Sequence, residues 1–221
     1  MSHATGNAGA PRRTKPRLRG VSHQVAAFLA APAALALVAA APPGRGAVAA
    51  AIYGASLVTL FAVSALYHRP FWPPRARDLL GRVDHSAIFL LIAGTYTPLS
   101  LRLTPGPGIA VLAVVWAGAA AGITLALAWG NPPKPLMAAI YVVLGWVIVP
   151  VLPRLHQAIG GGALALLLGG GLAYTVGAGV YAAKRPDPFP AVFGYHEVFH
   201  ALVIVAAACQ FGAVASALGA I

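Results

Sequence analysis

The stretch GYHEVFHALVIVAAACQFGAVASAL, residues 194–218, opens with two histidines and a glutamate and then runs apolar to its end. Such a run is long enough to cross the roughly 30 Å hydrocarbon core of a bilayer as a helix of about 20 residues. Residues four apart on a helix lie one turn above each other, so His196 and His200 share a face and can both offer a ring nitrogen to one ion. The same pair could instead sit in headgroup water at a helix end. The rest of the chain bears on that choice.

Of the 221 residues, 59% are hydrophobic and only 9% charged, with a mean hydropathy of +0.80. This composition points to an integral membrane protein rather than one or two soluble domains. The net charge of +11 comes from basic residues scattered between apolar runs. With no basic domain or aromatic-interleaved patch, nucleic acid is not an expected partner. Cys209 is the single cysteine, so an internal disulfide and a cysteine metal cluster are excluded.

Six further apolar runs lie near residues 24–43, 47–67, 83–103, 107–129, 135–153 and 160–183, which with 195–218 makes seven expected spans. The breaks carry proline, glycine and charge, as at Pro42-Pro43-Gly44-Arg45 and Thr104-Pro105-Gly106-Pro107. Residues 1–20 hold five basic side chains without a periodic apolar face and are expected to form a disordered cytoplasmic tail, ahead of a membrane domain over 21–221. The first run also resembles a signal peptide, ending in small residues, but is read as a retained span. Putting the tail inside places twelve basic residues in inner segments and three, Arg45, Arg102 and Arg154, in outer ones. The expected architecture is an all-α, seven-transmembrane helix bundle in the cell membrane, N-terminus cytoplasmic and C-terminus external.

That topology brings three sequence-distant polar sets to one membrane level: Ser64 and His68, Asp84 and His85, and His196, Glu197 and His200. Ionisable residues at membrane depth are costly and suggest function. Asp84 and His85 are adjacent and point about 100° apart, so one of them faces His68. Asp84 is the expected one, since its carboxylate can offset an ion's charge and hold its water, while His85 orients neighbours or faces headgroups. His3, His23 and His156 are expected to lie outside the site, His23 as an ordinary interfacial residue. Arg75, Arg77 and Arg82 fall in a short segment expected to lie along the inner headgroups or to serve topology alone. Pro98 is expected either to kink the third span or to pack, with Gly94, at a close helix contact.

Ser64-x3-His68, Asp84-His85-Ser86, Gly94-Thr95-Tyr96-Thr97-Pro98 and His196-x3-His200 together resemble the bacterial haemolysin III proteins, within the wider family of progestin and adipoQ receptors. The resemblance spans almost the whole chain. It implies a seven-helix bundle with zinc near the cytoplasmic face, held directly by His68, His196 and His200, with Asp84 contacting the metal through water and Ser64 close by. Three neutral imidazoles and a water suit zinc in a four-coordinate site with an open position, whereas magnesium and calcium prefer oxygen-rich sets.

The expected function is zinc-dependent hydrolysis of a lipid amide or ester bond, as in the ceramidase-like relatives the resemblance brings in. Asp84 would be the proton acceptor and Ser64 would help hold the water or oxyanion; membrane lipids are the expected partners. His196-Glu197-x-x-His200 also matches a zinc-protease pattern, but no later carboxylate or histidine supplies a third ligand. Two readings of other classes stand beside these: a membrane homeostasis or sensor protein with structural zinc, and a membrane-perturbing haemolysin. No span carries a polar stripe through the whole membrane, which disfavours a pore.

Overall fold

Proline sets where several of the helices begin. Its fixed φ suits the first turn, where its missing N–H costs nothing. In the computed structural model, which describes residues 15–129 and 132–220, helix α3 (Pro74–Ser100) and helix α4 (Pro105–Ala128) start on a proline, and helix α5 (Lys134–Gly145) and helix α6 (Leu152–Ala183) carry one at their second residue. Helices α1 (Val21–Ala40), α2 (Arg45–His68) and α7 (Tyr195–Leu218) complete an architecture that is all-helical among the described residues. Consecutive helices pack side by side, α7 also packs against α1, α2 and α3, and α3 reaches across to α5.

The side-chain distribution suits a lipid surround. Large apolar side chains such as Phe28, Leu35, Ile109 and Val143 point outward, while Ala50, Ala93, Ala119, Ala206 and Ala213 fill the contacts between helices. Lipid tails are as apolar as leucine, so helices associate through close packing of small residues. Five stretches are long and apolar enough to cross a bilayer: residues 21–40, 45–68, 105–128, 195–218 and the combined stretch 134–183. Helix α3 is outside this set. Its first turns carry Arg75, Arg77, Asp78, Arg82 and Asp84, and its apolar part is largely buried in protein, with every residue from Ala93 to Ser100 buried.

Two expectations need correction. The continuous fifth span over 135–153 is broken: α5 stops at Gly145, a single 3-10 turn covers Val149–Val151, and α6 begins at Leu152. Pro150 and Pro153 cannot donate the bonds a helix would need there. The Tyr96 hydroxyl closes the gap, donating to the Gly145 carbonyl at 2.7 Å and accepting the Ile148 N–H at 3.0 Å. A second break follows inside α6 at Gly160, whose φ of 79° is left-handed. The Arg75–Arg82 segment forms the opening of α3, where Arg82 pairs with Asp78 one turn away at 2.7 Å.

Residues 15–20, expected within the tail, are bound to the bundle; residues 1–14 lie outside the described residues. The Arg17 and Leu18 N–H groups donate to the Ala191 and Val192 carbonyls, both at 3.1 Å, and Lys15 Nζ donates to the Arg69 carbonyl at 3.0 Å. Around Gly94 and Pro98 the packing alternative describes what is seen. Helix α3 continues through Pro98 to Ser100, and a Cβ on Gly94 would stand 2.2 Å from Ser56 Oγ on α2.

Candidate metal centre

Two helix ends meet at one end of the bundle. His68 is the last residue of α2, His196 and His200 occupy the first two turns of α7, and all three are buried. One nitrogen from each lies within 4.8 Å of the other two. The Nε2 atoms of His68 and His196 face each other at 3.1 Å, and His200 Nδ1 is buried without a hydrogen-bond partner. Buried polar atoms normally find partners. Imidazole nitrogens aimed at one another, with one left unpartnered, form a donor set that suits zinc: three borderline nitrogen ligands around one point.

Asp84, in the third turn of α3, places Oδ2 3.6 Å from His68 Nε2, on the ligand side of that ring. Its neighbour His85 turns away, with Nε2 3.4 Å from the Tyr181 hydroxyl, as expected for a helix step of about 100°. Ser64 lies one turn before His68 on α2 and is buried.

The N-terminus of α7 is held by both nearby carboxylates. Asp187 Oδ1 accepts the Tyr195 N–H at 2.8 Å, and Glu197 Oε2 accepts the Gly194 N–H at 2.8 Å. Helix starts leave unpaired N–H groups and favour negative charge, so both contacts fix the turn that carries His196. Glu197 is also buried in an ion pair with the Arg19 guanidinium. Glu197 thus points into the protein and braces the helix turn that carries His196.

A cavity of about 350 Å³ opens beside the histidines and runs inward to Gln210, between walls that include Leu91, Ile92, Leu167 and Val203. Its polar mouth and mostly apolar depth match an amphiphile better than a water-soluble ligand.

The family model described as haemolysin-III related matches residues 12–211. The chain belongs to the haemolysin III family. It is 33% identical over 195 residues to "Hemolysin-3" of Bacillus cereus, covering 86% of each chain. It is 32% identical over 195 residues to "Hemolysin-3 homolog" of Bacillus subtilis (strain 168), covering 86% of this chain and 88% of the relative. The similarity extends into the progestin and adipoQ receptor superfamily: the chain is 30% identical over 174 residues to "Heptahelical transmembrane protein ADIPOR2" of Oryza sativa subsp. japonica, covering 71% and 76%. With its apolar helices, this haemolysin III family member is a multi-pass membrane protein.

One residue that sequence reasoning set aside stands in the cluster. His23, expected as an interfacial residue, is buried in the first turn of α1. Its Nδ1 is hydrogen-bonded to Ser64 Oγ at 2.8 Å, and its ring lies flat on His200, centroids 3.7 Å apart and planes 7° apart. Stacked on His200 and bonded to Ser64, His23 braces both, while the nitrogens that lie within 4.8 Å of one another belong to His68, His196 and His200. Gly20 lets α1 come this close: its φ is 78°, and a Cβ there would stand 2.7 Å from the His68 Cβ. The signal available in the sequence was the membrane level of His23; its neighbours come from α2 and α7. His156 is exposed in the first turns of α6, and His3 lies outside the described residues.

Proposed function

We propose that the protein is a seven-span zinc-dependent hydrolase of a lipid amide or ester bond, with its N-terminus and metal centre at the cytoplasmic face and its C-terminus external. The observation that carries this reading is the buried triad of His68, His196 and His200 opening directly into a largely apolar cavity. The grouping of basic segments supports the orientation. Lys15 bonds to the carbonyl of Arg69, Arg82 to that of Leu127, and Lys134 to Tyr195, so the inner segments expected from charge meet at one end. Arg102 instead bonds to the Ala158 carbonyl, among the outer segments.

Zinc held by the triad would supply Lewis-acid chemistry, polarising an acyl carbonyl and making water nucleophilic near neutral pH. The protein's own part is placement and proton transfer. Asp84 Oδ2 accepts the proton of the attacking water, a C–O bond forms at the acyl carbon, and Asp84 returns the proton to the departing amine or alcohol as the C–N or C–O bond breaks. Ser64, held by His23, presents its hydroxyl to the water or the developing oxyanion. The apolar walls take the acyl chain and keep bulk water away.

Burial of Glu197 against Arg19 and the Gly194 N–H weighs against the protease reading, which needs that carboxylate at the metal. The decisive experiment is to purify the protein, quantify its metal, and follow cleavage across a panel of lipid amides and esters. Asp84→Asn is expected to keep most of the zinc and lose activity by about 100-fold or more. Zinc-loaded wild type that cleaves no lipid in the panel, while Asp84→Asn still abolishes the cellular effect, would replace hydrolysis with a sensing or structural role.

A further inference from the structure

The chain has four side-chain carboxylates, and each has a partner. Asp78 pairs with Arg82, Glu197 with Arg19, Asp84 approaches His68, and Asp187 accepts the Tyr195 N–H. None is left for Arg77 or Lys134, and both of these line the cavity that holds the triad. Each lies over a tyrosine that also lines the cavity. The Arg77 guanidinium lies 5.8 Å from the centre of the Tyr67 ring, which is 4.5 Å from the His68 ring. Lys134 Nζ lies 4.7 Å from the centre of the Tyr181 ring, which is 5.8 Å from the His196 ring. Each cation is thus one aromatic ring removed from a triad imidazole.

We propose that Arg77 and Lys134 form an anion-binding rim on this cavity and that the lipid it accepts carries a phosphate in its head. The proposal rests on the lipid-hydrolase reading above and names the substrate class for it. A guanidinium fork and an ammonium lining one cavity suit the oxygens of a dianionic phosphate, whereas a neutral head offers neither cation a charged partner. A phosphate held at this rim leaves an acyl linkage a few bonds further along the lipid within reach of the imidazoles, with the chain directed toward Gln210. Like charge is crowded beside Arg77 even without a ligand: the neighbouring Lys15 ammonium, outside the cavity lining, is held below its ordinary pKa by partial burial and then by Arg77, Arg19 and Arg69. A bound dianion relieves that repulsion.

Positive-inside topology explains basic residues on this side of the membrane but not two of them over rings of one cavity. Arg75 and Lys184 provide the comparison, being exposed at the same end without lining it. The test is calorimetric binding to the purified, zinc-loaded protein in a neutral maltoside detergent. The probes are dioctanoyl phosphatidate, dioctanoylglycerol and inorganic phosphate. Wild type is expected to bind the phosphatidate at least about tenfold tighter than the glycerol, with charge-assisted hydrogen bonds as the source. Arg77→Gln with Lys134→Gln should erase that preference, Arg77→Lys with Lys134→Arg should retain most of it, and Arg75→Gln with Lys184→Gln should leave it intact.

Equal affinity for the two lipids overturns the proposal, as does equal loss in the Arg75 and Lys184 control. Displacement of the phosphatidate by inorganic phosphate at matching concentration also overturns it, in favour of a free-phosphate site. Binding and turnover separate the two readings. A preference abolished only by the Arg77 and Lys134 pair, in a protein that cleaves no lipid, defeats hydrolysis and upholds the rim; cleavage of neutral and phosphate-bearing lipids alike, without a binding preference, does the reverse.

Discussion

The two ends of the bundle are built from the same residue types and do different things with them. At one end His23, His68, His196 and His200 are buried together, Glu197 is buried against Arg19, and polar contacts run between α1, α2, α3 and α7. At the other end His156 is exposed, and Arg102 makes a single hydrogen bond to the Ala158 carbonyl. A histidine or an arginine alone carries little information. What separates the ends is convergence: polar side chains withdrawn from water must satisfy one another or hold an ion.

The largest expected effect tests that contrast directly. Alanine at His68, His196 or His200 is expected to remove nearly all bound zinc, measured by elemental analysis of purified protein, while His156→Ala leaves the zinc content unchanged. Equal zinc in all four folded variants would erase the distinction between the ends.

Next in size is the Arg19 ion pair. Removing the cation leaves a buried carboxylate uncompensated. Arg19→Met is therefore expected to cost on the order of 2 kcal/mol, below the range for fully buried pairs because Arg19 keeps part of its side chain in solvent. Arg102→Met, at the far end, should change stability by less than about 0.5 kcal/mol. Thermal unfolding in detergent compares the two, and similar losses would mean that the buried end is no more tightly coupled than the exposed one.

The smallest effect concerns His23. His23→Phe keeps a flat ring against His200 but gives up the bond to Ser64, so zinc affinity is expected to fall by about tenfold, the lower end for residues that orient metal ligands. Competition with a chelator measures it. In cobalt-substituted protein the visible spectrum should shift, since the His200 ring is held differently; an unchanged affinity and spectrum would place His23 with His156 as a bystander.

The residue sequence alone determined the membrane setting, the helical class and the triad. Long apolar runs have few alternatives in a bilayer, because every backbone group must be paired within the span. An i, i+4 histidine pair declares its shared face through helix geometry alone, and the quoted motifs carried the family. Local chemistry also marked most of the helix starts through proline.

Tertiary structure decided what depends on neighbours from other helices. Helix α5 ends at Gly145 because Pro150 and Pro153 remove donors and Tyr96 of α3 is there to take up the freed backbone groups. Residues 15–20 bind the bundle because Glu197, Ala191 and Val192 lie beneath them. His23 belongs to the cluster because Gly20 lets α1 approach His68, bringing the imidazole onto His200 and beside Ser64. In each case the polar group is read from one segment and its partner from another far away in the chain, so its role is set only when packing removes both from water.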